Sequence, residues 1–328
     1  MGSSVRSLLF GLAFGAVVCM PCGGSPNSSK LLSLVPPGAQ IVAGFENYRD
    51  PRHHGQLVLA TRNNRLDLED WQAIAGVDHR RRFEEVIEVA YSPVGGMLTE
   101  HLLLVAGKFN SARIYRSAEL LGGKRSAFEG QALLEIEPFA REKGKMLATR
   151  WLVILDDRVA MLGTPVLVQA AIHRYLNRAD TDVALLERLA QLPPDVSSWN
   201  VLSSLPKART EYTVAQAKSP WARFFEDADV LMVGVRFGSR IRVHFSLQAS
   251  GERGQEFFKR KAATFASVFG TGRNGRFPLV RLIDVAVDSD HVQGSVELSR
   301  QQFDTWGDWT NNFGHSPLPL GRAGATGQ

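Results

Sequence analysis

The sequence predicts an α+β protein whose antiparallel sheets are built from about four repeated ββα units, each a hairpin followed by a helix, in two related halves. Three observations predict it. Strands of clean apolar and polar alternation are joined by two-residue turns, amphipathic helical stretches follow the hairpins, and 328 residues exceed one ordinary domain. Hydrophobic residues at 44% and charged residues at 22% match a folding, water-soluble composition rather than a disordered or membrane-embedded one.

The chain opens with MGSSVR, in which Arg6 is the charged side chain, and continues into SLLFGLAFGAVVCM, an apolar run too short for the roughly 20 residues of a bilayer crossing. Residues 1–22 read as an export signal segment. Residues 23–38, opening with the Gly/Ser/Pro-rich CGGSPNSSK, read as a flexible linker. Both cysteines, Cys19 and Cys22, fall in the leader, so cleavage near Gly23 or Gly24 leaves a thiol-free exported chain, periplasmic or extracellular. Lipid attachment on Cys19 or Cys22 is the alternative and would tether the chain to a membrane. Val18 and Pro21, directly before those cysteines, depart from the small residues such attachment needs.

Residues 39–205 form the N-terminal α+β half. FEEVIEVAY and EHLLLVAGKF read as strands around a turn at 92–96, and a helix from Ser111 to Leu121 stops at Gly122-Gly123. A second hairpin pairs Trp151–Leu155 with Arg158–Leu162 through Asp156-Asp157. Thr164 as N-cap and Pro165 at the first helical position then start a helix to about Leu176. Residues 203–218, with Pro206, are the joint. Residues 219–313 form the C-terminal half, ββα-ββα. Val230–Phe237 and Ile241–Ala249 flank Gly238-Ser239, with Ile241, Val243, Phe245, Leu247 and Ala249 on one face and Arg242, His244, Ser246 and Gln248 on the other. A helix is expected from about 252 to 269, on the stripe of Phe258, Ala262, Phe265 and Phe269. The unit recurs as Leu282–Val287, a turn at 288–290, a strand carrying Val292, Gly294, Val296 and Leu298, and a helix opened by the Ser299/Gln302 capping box. Residues 314–328 lack periodicity and read as a disordered tail.

LLSLVPPGAQIVAGF, GVDHRRRFEEVIEV, VAMLGTPVLVQAAI and HVQGSVELS together resemble an uncharacterised group of exported bacterial α+β repeat proteins of unknown function, over much of residues 31–300. The resemblance implies export and a duplicated fold, and it implies no reaction.

The residues themselves name no chemistry. A formal charge of +5 is small, and the basic clusters at Arg80–Arg82, Lys259–Lys261 and Arg273 with Arg276 lie beside acidic residues, so nucleic acid is not an expected partner. Gly270, Gly272 and Gly275 spell GxGxxG, but an expected helix precedes them and a strand follows, the reverse of a dinucleotide loop. Ser204 and Lys207 have SxxK spacing that Pro206 spoils, and neither GxSxG nor HExxH occurs. Asp288 and Asp290 lack the next calcium ligand, where Val292 stands. The carboxylate pairs Asp156-Asp157 and Glu135 with Glu137 read as a tight turn and the wet side of a strand. No catalytic, cofactor-binding or metal-ligating residue is therefore assigned. The candidate binding face is Arg242, His244, His291 and Gln293, with Gln248 and Glu297 nearby. Should the two C-terminal hairpins pair, these residues form a polar platform for a peptide, glycan or metal. The functional expectation is an exported, non-catalytic binding or structural protein of the bacterial cell envelope, its partner an envelope protein, glycan or peptide. The alternative is a hydrolase-type enzyme with a site assembled from distant segments.

Overall fold

Alternating strands with one buried side each must pair to satisfy their backbone groups, and here they pair into one sheet. The computed structural model describes residues 29–46, 83–91, 100–137, 149–203, 229–249, 256, 281–287 and 291–299. In chain order a 3-10 turn (Lys30–Leu34) precedes β1 (Ile41–Glu46), β2 (Phe83–Tyr91), β3 (Glu100–Gly107), α1 (Ser111–Leu120), β4 (Lys124–Phe128), β5 (Gln131–Ile136), β6 (Arg150–Leu155), β7 (Val159–Gly163), α2 (Pro165–Leu176), α3 (Val183–Leu189), β8 (Ser198–Ser203), β9 (Val230–Arg236), β10 (Ile241–Gln248), β11 (Arg281–Val287) and β12 (His291–Leu298). The twelve strands run β11-β12-β10-β9-β8-β1-β2-β3-β7-β6-β5-β4. Neighbours are antiparallel throughout. The α+β, antiparallel expectation describes the molecule. The sheet is continuous across the two expected halves, because β8, placed by sequence in the first, pairs with both β1 and β9.

Turn and cap chemistry account for the local geometry. Asp156 and Asp157, at φ 44° and 56°, and Glu129 and Gly130, at φ 46° and 77°, turn the β6–β7 and β4–β5 hairpins through paired left-handed residues, whose twist matches that of the strands. Asn110 caps α1 by accepting a 2.9 Å bond from the Arg113 amide, and Gly122, at φ 94°, ends it. Pro165 begins α2, but the Thr164 side chain makes no cap bond. The β4–β5 hairpin, between α1 and β6, interrupts the expected hairpin-helix rhythm.

The sheet buries both faces. On the first, Val42, Ile87, Val89, Leu102, Leu104, Met161, Val153, Trp199, Val201 and Met232 join the 3-10 turn, α2 and α3 in one core. Among the described residues the second face carries two cores. One lies on β2, β3, β5, β6 and β7 beneath α1, through Ile114 and Ala118; the other lies on β9, β10 and β12. For residues 29–38, the described part of the linker expected over 23–38, this packing corrects the flexible reading. Leu31, Leu32, Leu34 and Val35 are fully buried, the Tyr91 hydroxyl donates to Pro36 O at 2.6 Å, and Arg174 Nε donates to Ser33 O at 2.7 Å. Four apolar residues in five outweigh the surrounding Gly, Ser and Pro. The signal segment, the 203–218 joint beyond Ser203, most of the 252–269 helix, the helix after Ser299 and the tail lie outside the described residues. No described helix is long and apolar enough to cross a membrane.

Candidate binding face on strands β10 and β12

Directly opposed residues in an antiparallel pair share a face. The pairs Arg242↔Glu297, His244↔Ser295, Ser246↔Gln293 and Gln248↔His291 therefore put all four candidate residues on one surface, because β10 and β12 are neighbours although β11 lies between them in the chain. The pairs Arg242↔Arg236, His244↔Gly234 and Ser246↔Met232 continue that surface onto β9, where Met232 belongs to the principal core. The candidate face is thus the outer continuation of the sheet's first face.

Arg242, Gln248 and Glu297 are held in place by charge and hydrogen bonding, while the buried Ser246 Oγ has no hydrogen-bond partner. Glu297 accepts Arg240 Nη1 at 3.0 Å and Arg242 Nη2 at 3.3 Å, which holds one end of the platform. Gln248 Nε2 donates to Gln191 Oε1 at 2.8 Å, and Arg236 pairs with Asp195 at 2.6 Å, fastening the segment after α3 along the β9 margin. Arg242, His244, Gln248, His291 and Glu297 are half-buried and Gln293 is exposed, while Ser246 and Ser295 between them are buried. His244 stands opposite Ser295, four residues from His291 along β12, a separation of about 13 Å at the strand rise. Metal–imidazole bonds of about 2 Å cannot bridge that span, so the two histidines do not share a metal. Among the described residues no group of three or more His, Cys, Asp or Glu side chains is placed to hold one.

The other motifs resolve as structure where they are described. Asp156 receives the Tyr175 hydroxyl at 3.0 Å, and Asp157 Oδ1 accepts from the Ser111 amide at 3.4 Å. Glu137 pairs with Lys124 at 2.8 Å, which pulls its carboxyl below the usual range, and Glu135 lies on β5 opposite Trp151. Gly270–Gly275, Ser204 with Lys207, and Asp288 with Asp290 lie outside the described residues.

Sequence reasoning missed polar groups on the opposite face. Asn200 and Ser198 of β8 are 1% and 2% exposed, and Asn200 Oδ1, Asn200 Nδ2 and Ser198 Oγ have no hydrogen-bond partner. His101 Nε2 and Thr164 Oγ1 are also buried without partners, and burial together with the nearby Arg150 charge pushes His101 down to about 4. Nothing in SWNVLS or EHLLLVAG marks these residues in advance.

No family model matches the chain, and no curated protein matches it. Among solved structures, crystal form I of TP0453 is similar at a TM-score of 0.47 and 12% identity, over 87% of this chain and 99% of that one, a likeness too slight to carry an argument.

Proposed function

We propose that the chain is an exported, non-catalytic binding protein of the bacterial cell envelope that takes an extended, polar peptide on the face of β10 and β12 carrying Arg242, His244, Gln293 and His291. One observation carries the reading, a change of polarity along a single sheet face. On β3 and β7 that face presents Leu102, Leu104 and Met161 to the principal core. On β10 and β12 it carries Arg242, His244, Gln248, His291, Gln293 and Glu297, with Ser246 and Ser295 buried between them. A surface that only had to be covered by a helix would stay apolar; six polar side chains that keep some exposure, in two paired rows, suit a partner rich in donors and acceptors. The rows repeat every second residue, about 7 Å, which is also the side-chain repeat of an extended peptide. Export is supported by the apolar leader and rests on it.

The finer form of the fold, two related halves, belongs with this proposal. Outward from the β1–β8 pair, one side runs β1, hairpin β2–β3, then β7 and β6; the other runs β8, hairpin β9–β10, then β12 and β11. Each side thus has a lone strand, a hairpin, and a second hairpin entered from its later strand, with β4–β5 as an insertion on one side. This correspondence supports a duplication in which the second copy exchanged an apolar face for a polar one.

The test is affinity measured on arrays of extended peptides and of glycans, for the native chain and for the His244→Ala/His291→Ala variant. Peptide binding that weakens about tenfold or more in the variant, with unfolding unchanged, is the expected result. Binding equal in both proteins, glycan binding alone, or turnover of a small ester or glycoside by the native chain would overturn the proposal.

A further inference from the structure

We infer that β4 is a docking edge for a second copy of this chain, and that two copies join through it into one longer sheet about a two-fold axis at Ser126. The edge lies at the end of the sheet opposite β10–β12 and does not depend on the reading of that face. Among the described residues β4 has β5 as its one strand neighbour, and Lys124, Arg125, Ser126 and Ala127 are exposed. An exposed outer edge leaves a row of backbone donors and acceptors with no strand to meet them.

The register says which groups these are. Glu129 and Gly130 form a two-residue turn with φ of 46° and 77°, so Phe128 and Gln131, which flank it, exchange both backbone bonds. Bonded pairs alternate with non-bonded pairs along an antiparallel ladder, so Phe128, Ser126 and Lys124 turn their amides and carbonyls toward β5. Arg125 and Ala127 turn theirs outward, and no backbone bond among the described residues reaches them. Two donors and two acceptors therefore stand open along one side of the strand.

A second β4, run antiparallel, matches this row. With Ser126 opposite its own copy, Arg125 faces the partner's Ala127 and Ala127 faces the partner's Arg125, which closes four backbone bonds. Lys124 then faces the partner's Phe128, so no like charges are directly opposed. Edge lysines and arginines ordinarily keep a second strand away. Here both are drawn back onto their own chain: Lys124 Nζ donates to Glu137 at 2.8 Å, and Arg125 meets both carboxylate oxygens of Glu119 on α1. An acidic peptide is the less suited occupant, since both cations already hold carboxylates. The end of α1, which leads into the strand, carries Leu120 and Leu121, 82% and 44% exposed, and gives a second copy apolar area to cover at the same margin.

Sedimentation equilibrium of the full chain from about 1 to about 500 µM should show a reversible monomer–dimer equilibrium. Ala127→Pro deletes an outward N–H and leaves the β4–β5 bonds in place; it should weaken the dimer about tenfold or more, with the urea midpoint of the monomer little changed. Should that variant not fold, a cross-link decides. In a chain carrying Cys19→Ser and Cys22→Ser, Ser126→Cys should oxidise to a disulfide-linked dimer about tenfold faster than Arg158→Cys, which is exposed beside the β6–β7 turn. A chain monomeric to about 500 µM, a dimer that Ala127→Pro leaves intact, or equal rates of cross-linking would overturn the proposal, and none of these results bears on the β10–β12 face.

Discussion

Replacing His101 with glutamine should flatten the acid sensitivity of folding. His101 lies on β3 with Nε2 buried and unpartnered; burial, and secondarily the Arg150 charge, lower it from 6.5 to about 4. The native state thus keeps the ring neutral down to about pH 4, whereas the unfolded chain protonates it near 6.5. Between those values the unfolded state binds more protons, so the stability is complete above 6.5 and is lost as pH falls toward 4. A shift of about 2.5 units corresponds to a ceiling of roughly 3 kcal/mol, of which about 2.5 kcal/mol is gone by pH 4.5. Partial exposure of the residue lowers both figures. Urea unfolding of the native chain and of His101→Gln at about pH 7.5 and about pH 4.5 isolates this group, because the other titrations are common to both. The native chain should lose up to about 2.5 kcal/mol more than the variant. An equal loss in the two proteins, or a His101 ring titrating near 6.5 by NMR, would refute the reasoning.

Gly44→Ala should destabilise the chain by about 1–3 kcal/mol or more, since a Cβ at Gly44 would overlap the Trp199 indole packed across the β1–β8 pair; denaturant midpoints check it. Leu32→Ala should cost about 2–5 kcal/mol, as for a leucine with no exposed surface, whereas a flexible linker would tolerate it within about 0.5 kcal/mol. Thermal unfolding of that single variant separates a packed 3-10 turn from a tether.

What could be read in the sequence was local, and what could not was the order of pairing. The alternation of β10, the Asp156-Asp157 turn, the Gly122-Gly123 stop and Pro165 at the start of α2 each express a rule that operates within a few residues, and each element stands where its residues put it. The 3-10 turn escaped because its leucines sit among residues typical of loops. Strand β5 was legible from Leu134 and Ile136, but its partner β4 escaped because Lys124, Arg125 and Ser126 on the edge strand are exposed and carry no alternation. The candidate face was named residue by residue. Its assembly depended on β12, rather than β11, lying against β10, and no local rule specifies that choice. Asn200 and Ser198 were invisible for a different reason: a polar residue within a short strand reads as solvent-facing until both faces are known to be covered.

The two faces also differ in how they join the molecule at its midline. On the first, Trp199 lies over Gly44 and is 1% exposed, so the β1–β8 junction is sealed by the largest side chain of the core. On the second, the same two strands pair Ile41 with Leu202, Ala43 with Asn200 and Phe45 with Ser198, and among the described residues Phe45 packs against both clusters. Cohesion across the junction therefore resides chiefly in the first face, and a change at Trp199 or Gly44 should weaken both sets of strands together. The second face is relieved of that role at the same positions. Polar groups can therefore persist at Asn200 and Ser198 without uncoupling the two sets of strands.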